Sequence, residues 1–396
     1  MTGLLPVETA QARLLALRPS LAFEKIDYGK ALGRYSSHDI LARRDQPAAP
    51  LAAMDGYAIA FDDPVGPWSI VGEVAAGTAP DRALAPGEAM RIFTGAMLPV
   101  GADTVIAQED VAADGAILAL TGEAPPFRGR HVRPRASDFA AGACLVAAGE
   151  RLTPGGIAAA IMGGHAEIAV GGRPHIAILS TGDELVAPGA PLAPGQIPDS
   201  NGAMLAAMLA ALPAEVAPPR RVRDGRAILS RDISELARSH DVIVTIGGAS
   251  VGDHDHVRAA LADAGGTVDF WRVAMRPGKP LIAGRIGETL LLGLPGNPAS
   301  AFVTATLFLL PLVRHLAGAR APLPPLRRAP LAVPLAAGGT RRAYLRALFD
   351  GERLTPFTGQ DSGRTAPLAA ANALVVQETG AAASPAGALA DFIDIA

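Results

Sequence analysis

From Thr289 to Val313 the chain runs 25 residues without a charged side chain, with Glu288 and Arg314 at the two ends. That length is enough to cross a bilayer. Pro295-Gly296-Asn297-Pro298 interrupts it, however, and a turn of this kind carries backbone groups that lipid cannot satisfy. The stretch therefore predicts a buried strand at 289–293, a turn, and a buried helix at 298–316, with no membrane contact. Hiding all three takes a sizeable core, which 396 residues, 49% of them hydrophobic, can supply in roughly two to four domains.

The sequence before this stretch repeats the same alternation. His175–Ser180 and Asp241–Ile246 read as buried strands and 267–274 as a further strand. Residues 202–212, 227–239 and 257–264 read as helices. Continuous apolar strands separated by helices predict an α/β unit with a doubly wound parallel sheet. The flanks differ. Residues 7–18 carry Val7, Ala10, Leu14 and Leu17 at helical spacing. Residues 39–120 show short strands (68–74, 89–93, 104–107, 116–120) between Gly, Pro and Asp turns, a β-rich insertion. Residues 121–135 read as a loop, 142–170 as strand, helix, strand, and 321–334, with five prolines, as a linker to a small C-terminal β-rich unit.

Composition narrows the function classes. Lys plus Arg number 35 against 38 Asp plus Glu, a net charge of −3, which excludes a generally basic nucleic-acid coat. Aromatics at 4% are too sparse for a base-stacking platform. The single cysteine, Cys144, excludes a disulfide framework and a thiolate metal cluster, and fits a cytoplasmic protein.

Ligands of open α/β sheets sit beyond the carboxyl ends of the strands. Three polar glycine turns follow apolar strands here: Ser180-Thr181-Gly182-Asp183-Glu184, Gly247-Gly248-Ala249-Ser250 and Leu294-Pro295-Gly296-Asn297-Pro298. Each alone is an ordinary βα connection. On consecutive strand ends, with a helix N-terminus behind each, they predict a multi-anion site built from backbone N–H groups. Arg276-Pro277-Gly278-Lys279-Pro280 adds two cations on a stiff turn. Carboxylates stand beside the turns: Asp183, Glu184, Asp199 before Ser200-Asn201, and Asp253 with Asp255. Phosphates facing carboxylates suit Mg²⁺, although Asp199 also sits where a helix cap would. His254 and His256 lack a third histidine nearby for a metal. No Walker A loop, no G-x-G-x-x-G opening a helix and no G-x-S-x-G elbow occurs.

Taken in order, Met54-Asp55-Gly56-Tyr57-Ala58, Phe93-Thr94-Gly95-Ala96, Ser180 to Leu185, Asp199-Ser200-Asn201, Gly247 to Gly252, Pro277-Gly278-Lys279-Pro280 and Leu294 to Pro298 resemble the motifs of the MoeA family of molybdopterin molybdenumtransferases, relatives of the gephyrin E domain. The likeness runs from about residue 6 to 395. It implies four domains: domain I from 1–45 and 135–172, a small α/β linker domain; domain II, the β-rich insertion, 46–134; domain III, the doubly wound molybdopterin-binding domain, 173–322; and domain IV, a β-barrel-like unit, 323–396. It implies a homodimer and a reaction that inserts molybdate into adenylated molybdopterin. Mg²⁺ assists and AMP leaves. It also implies transient contact with a molybdopterin adenylyltransferase and with molybdoenzyme apoproteins. By resemblance, Asp55, Glu184, Asp138 and Thr94 are the catalytic candidates, and Asp55, Glu184 and Asp199 the metal candidates. Substrate binding falls on Thr181, Gly182, Asp183, Asp199, Ser200, Asn201, Gly247, Gly248, Ser250, Asp255, Lys279, Pro295, Gly296, Asn297, Pro298, Arg133, Arg341 and Ser362. Family sites lie between domain III of one subunit and domains I and II of the other, which would let Asp55 contribute from a distance. Where the family has Gly-Glu before the linker carboxylate, this chain has Ala136-Ser137 before Asp138, and Cys144 stands in a strand where the family has ordinary apolar residues, which implies that it is core packing. Two alternatives share parts of this pattern: a molybdopterin adenylyltransferase, which would consume ATP with bare molybdopterin, and a gephyrin-like scaffold, which would bind receptor peptides and no pterin.

Overall fold

The computed structural model describes residues 4–248 and 256–395. Its centre is a seven-stranded sheet in the order Glu215–Val216, His175–Thr181, Val242–Ile246, Thr289–Leu294, Ile282–Ile286, Thr267–Trp271, with Arg220–Val222 also paired to His175–Thr181. The first three and the 289–294 strand run parallel, in a register that sets Ile176 beside Val242 and Val242 beside Leu290. The last two run antiparallel. The sheet is thus mixed rather than parallel throughout. The expected strand at 267–274 ends at Trp271, and Ile282–Ile286 returns to it as a hairpin partner of 289–294.

Side chains alternate across this sheet. Ile176, Ile178, Val242, Val244, Leu290 and Leu292 face one core, with helices Val7–Ala16, Asn201–Leu209 and 298–316. Ala177, Leu179, Ile243 and Leu291 face another, under helices Arg226–Leu236 and His256–Asp263. Strands buried on both faces must be apolar at every position, which is why these runs show no alternation in sequence. The helical run from Pro298 to Leu316, uncharged until Arg314, is mostly buried against its own chain, as the Pro-Gly-Asn-Pro turn required.

That run is not one regular helix. It is α-helical at Pro298–Thr304, π-helical at Ala305–Leu309 and α-helical at Leu310–Leu316. Pro311 explains the widened turn: it has no N–H for the carbonyl four residues back, and its ring would collide with that carbonyl. The carbonyl in question, that of Leu307, accepts instead from Nε2 of the buried Gln11 at 2.9 Å. The N-terminal helix is therefore fastened to the doubly wound core by packing and by one buried amide.

The inserted β-rich unit is a six-stranded sheet, Thr104–Ala107, Gly56–Ile59, Glu88–Ile92, Trp68–Val74, Ile117–Leu120, Val111–Asp114, cored on one face by Met90, Ile92 and Val105 and on the other by Trp68, Ile106 and Leu118. Between it and the central sheet lie two small strand pairs, Phe23–Asp27 with Glu167–Gly171 and Ile40–Leu41 with Cys144–Val146, and helix Pro154–Met162. Cys144 is exposed, so its reading as core packing is overturned. Its strand is a short edge and the thiol faces outward. The C-terminal sheet is ordered Met275–Arg276, Arg342–Phe349, Ala373–Gln377, Leu389–Asp394, Arg327–Pro330, with Leu354–Pro356 on Arg342–Phe349. A bridge from Leu331 to Leu354 joins the far strand back to this partner. Met275–Arg276, contributed by the central unit, pairs with Arg342–Ala343 and stitches the two units together.

Gln11→Leu should destabilise the protein by about 1–3 kcal/mol, because it removes the donor and leaves a buried carbonyl unpaired. A lower urea midpoint with an unchanged slope is the expected result, and an unchanged midpoint would refute the role.

Candidate functional site

The carboxyl ends of His175–Thr181, Val242–Ile246 and Thr289–Leu294 open into one cleft of about 960 Å³. Its lining contains Thr181, Gly182, Glu184, Asp199, Ser200, Asn201, Gly247, Gly248, Lys279, Pro295, Gly296, Asn297, Pro298, Arg341 and Ser362. Fifteen positions singled out in the sequence thus share one cavity. Arg276, Asp224, Gln360, Asp361 and Gly363 line it too.

The three glycine turns touch one another. A Cβ on Gly247 would sit 2.7 Å from the Thr181 carbonyl oxygen, and one on Gly296 would lie 3.6 Å from the Gly247 Cα. Thr181 Oγ1 donates to the Ile246 carbonyl at 3.2 Å, and Asn201 Nδ2 to the Gly296 carbonyl at 2.6 Å. The Glu184 carboxylate folds over Gly182, where an added Cβ would meet Oε2 at 2.4 Å unless the side chain moved aside. Asp199 is buried and its Oδ1 accepts from Gly202 N at 3.2 Å, capping helix Asn201–Leu209. The capping option weighed for this residue is therefore realised. Two buried polar atoms of this rim, Ser180 Oγ and Asn201 Oδ1, have no hydrogen-bond partner among the described residues. Buried groups of this kind are normally satisfied, and an exogenous donor entering the cleft would satisfy them.

The opposite wall comes from the C-terminal unit. Asn297 Nδ2 donates to Ser362 Oγ at 3.0 Å, and Ala299 N donates to the Ser362 carbonyl at 3.0 Å. Arg341 donates to the Met275 carbonyl at 3.1 Å, beside the turn that carries Arg276 and Lys279. The cleft thus has cations on one wall (Arg276, Lys279, Arg341) and the carboxylate of Glu184 by the first glycine turn.

Asp183 stands apart from this lining. Its Oδ1 accepts from Asp224 N at 3.2 Å and lies 3.6 Å from Arg223. Ser250 and Asp255, with Asp253 and His254, lie outside the described residues. Asp55, Thr94, Arg133 and Asp138 do not line the cleft of their own chain. Arg133 is on the short strand paired to Leu51–Ala52, and Asp138 N donates to the Gln46 carbonyl at 3.0 Å.

Asp55 and Thr94 nonetheless form a constructed pair in the inserted unit. Asp55 Oδ1 accepts from both the N–H and the hydroxyl of Thr94, each at 2.7 Å. These two bonds, with a smaller contribution from Arg91, hold the Asp55 carboxyl below the usual carboxylate range. The turn Phe93–Ala96 presents that N–H, with Gly95 at φ 83°. Gly56 is obligatory after Asp55, since a Cβ there would lie 1.9 Å from the Ile106 carbonyl oxygen. Arg91 was not singled out in the sequence. It reaches the Gly56 carbonyl at 3.2 Å and Gln108 at 2.7 Å, and stacks near Tyr57 and Phe93. No local motif marks it, because its partners come from three separate segments.

Among the described residues, no group of three or more His, Cys, Asp and Glu side chains comes together as a metal site. The donor set still suits Mg²⁺, which is commonly held by one or two carboxylates while substrate oxygens and water complete its shell. Glu184 supplies one such carboxylate beside the anion turns, and Asp199 Oδ2 is a second donor in the same cleft.

Comparison with known proteins agrees with this layout. Residues 5–164 match the MoeA N-terminal region (domain I and II), residues 177–315 a probable molybdopterin binding domain, and residues 328–395 the MoeA C-terminal region (domain IV). A molybdopterin molybdenumtransferase of Nostoc sp. is 38% identical over 307 residues, covering 74% of this chain and 70% of its own. Molybdopterin molybdenumtransferase 2 of Mycobacterium tuberculosis is 36% identical over 337 residues, covering 81% and 82%. The crystal structure of a molybdopterin biosynthesis MoeA protein from Pyrococcus horikoshii superposes with a TM-score of 0.83 at 30% identity over 100% of both chains. Together with the three contiguous glycine turns facing a cationic wall, these similarities identify the chain as a member of the MoeA family of molybdopterin molybdenumtransferases.

Proposed function

We propose that the protein inserts molybdenum from molybdate into adenylated molybdopterin, with Mg²⁺-dependent cleavage of the adenylate and release of AMP. The observation that carries this reading is the cleft. It offers backbone turns for the phosphates, Arg276, Lys279 and Arg341 for further negative charge, and a carboxylate beside them. Such a site suits a reaction that brings a tetrahedral oxyanion against a phosphorylated ligand, where like charges must be drawn together.

In this reading the turns at 181–184, 247–248 and 295–298 bind and orient the nucleotide-bearing pterin. The sheet fixes the backbone of these turns, so they need no rearrangement when the ligand arrives. Lys279, Arg341 and Ser362 hold the incoming oxyanion on the opposite wall. Glu184, with Asp199 and Asp55, is the set we assign to Mg²⁺, whose contribution when bound is to draw charge from the pyrophosphate at the bond that breaks. Thr94 keeps the Asp55 carboxyl ionised and fixed in direction. Arg133 and Asp138 border the segment that carries Asp55.

We assign the four domains as 1–45 with 135–172, 46–134, 173–322 and 323–396, the last as a barrel whose strand path closes through the bridge between Leu331 and Leu354. We further propose a homodimer in which Asp55 and Thr94 of one chain face the cleft of the other. The support is that this fixed carboxylate has a constructed setting yet lies off its own chain's cleft. A cytoplasmic location and passing contact with a molybdopterin adenylyltransferase and apoenzymes complete the proposal.

Wild-type protein given adenylated molybdopterin, molybdate and Mg²⁺ should release AMP, whereas Asp55→Asn and Glu184→Gln should each lower kcat by roughly 10²-fold or more. No AMP from wild type would refute the activity. Mixing the two variants in equal amounts should restore roughly a quarter of wild-type activity, because half of randomly paired dimers contain one complete site. Absence of complementation would place Asp55 and Glu184 in the same chain's site. Thr94→Val removes one of the two hydrogen bonds to Asp55, so the Asp55 pKa should move up towards its ordinary value. Activity limited by ionised Asp55 should then fall off at a higher pH on the acid side than in wild type. An NMR titration of the carboxyl reads this directly, and an unshifted curve would refute the role of Thr94.

A further inference from the structure

Arg346 is the most deeply buried cation among the described residues, 2% exposed. It lies on strand Arg342–Phe349 of the C-terminal sheet, and none of its side-chain hydrogen bonds goes to a carboxylate. Nη1 donates to the Arg364 carbonyl at 2.8 Å, and Nη2 to the carbonyls of Gly359 at 3.1 Å and Asp361 at 2.8 Å. A guanidinium taken out of water without a carboxylate in direct hydrogen bond is costly, and the Asp361 carboxylate acts on Arg346 only through space. Here it is spent on three backbone acceptors of one loop.

The same loop is held from the other side by Gln360. Its Oε1 accepts from the Arg346 N–H at 3.0 Å, and its Nε2 donates to the carbonyls of Arg346 and Phe357, each at 2.9 Å. Backbone and side chain of one residue thereby fix the segment from 357 to 364. Gln360, Asp361, Ser362 and Gly363 of that segment line the cleft, and Ser362 meets Asn297 and Ala299 at the third glycine turn. In a trans peptide the C=O and the following N–H point in opposite directions. Each carbonyl drawn towards Arg346 therefore turns the next N–H, those of Gln360, Ser362 and Thr365, away from it.

We infer that Arg346 is a positioning residue for the oxyanion wall of the cleft: it touches no substrate, and sets the Gln360–Gly363 loop so that Ser362 faces Asn297 and the incoming anion. The inference rests on the assignment of this cleft to molybdate and adenylated molybdopterin, and adds a residue that acts through the loop. Lysine cannot replace it, since one ammonium lacks the planar fork that reaches three carbonyls in one plane.

The test uses the full-length protein with Arg346→Lys and Arg346→Met, each alone and combined with Ser362→Ala. In AMP-release assays both single variants should raise the KM for molybdate about tenfold or more, the effect of losing a hydrogen bond to a charged group, while kcat changes much less. Combining either with Ser362→Ala should add little beyond Ser362→Ala alone, since both act on one loop. Hydrogen exchange, read by mass spectrometry, should quicken over 357–365 while the central strand 242–246 stays protected. A KM that stays at the wild-type value in a folded variant would overturn the inference, as would exchange that quickens equally throughout. If Arg346→Met does not fold, Arg346→Lys and the equivalent Gln360→Met decide it by the same readouts. Should wild type release no AMP, the assignment of function fails, and local exchange together with binding of molybdate alone still judges Arg346. Unchanged exchange over 357–365 would sink it in that case too.

Discussion

The lateral register of three strands is what the rest of the molecule depends on. Ile176, Val242 and Leu290 lie side by side, so their strands run level to Ser180, Ile246 and Leu294. Slipping one strand by a residue would exchange its two faces and bury the wrong set of side chains. Because both faces are packed by separate helical layers, that slip is forbidden twice over. The glycine turns inherit this precision. They meet because they leave the sheet at one height, and the Gly247 N–H reaches across to the Leu294 carbonyl at 3.1 Å.

A rim of backbone donors does not make a selective site by itself. The second wall is supplied by a different unit, joined to the first by main-chain pairing of Met275–Arg276 with Arg342–Ala343. This pairing is economical in its geometry. The strand that carries Arg276 into the C-terminal sheet leads straight into the turn bearing Lys279, and Arg341 lies immediately before its partner strand. The cations therefore cannot drift from the glycine turns without unzipping a sheet. Ser362 closes the same wall through Asn297, so the N-terminus of the helix at Pro298 is bordered by both units.

Much of this was legible in the sequence, and the parts that were not have physical causes. The apolar strands and the uncharged 289–313 run could be read because burial on both faces leaves no polar position. Strand Ile282–Ile286 escaped notice because it contains Gly284 and Arg285. Gly284 is there because a Cβ would fall 2.4 Å from the Thr267 carbonyl oxygen, a contact visible only once the hairpin is folded. The π-turn at Ala305–Leu309 follows from Pro311, yet its acceptor is met by Gln11 from the far end of the chain, nearly 300 residues away. Cys144 looked like packing because the resembling family has apolar residues in that strand, but here the strand is three residues long and its face is open. Among site residues, those on turns following strands gathered as expected. Asp183 did not, since in Thr-Gly-Asp-Glu the chain turns by one residue and sends the two carboxylates different ways.

The division of labour among the carboxylates is a consequence of where each is anchored. Asp199 is committed to capping a helix, and its free oxygen is aimed by that cap. Glu184 is laid over Gly182, so its position is set by packing against backbone. Asp55 is held by two donors from one threonine, which fixes its charge and its direction without burying it. Each carboxylate is thus restrained by a different local device, and none depends on another carboxylate for its orientation. The proposed site, assembled this way, would stay ordered when highly charged ligands enter, because repulsion between ligand and protein is resisted by turns, caps and packing that were complete before the ligand arrived.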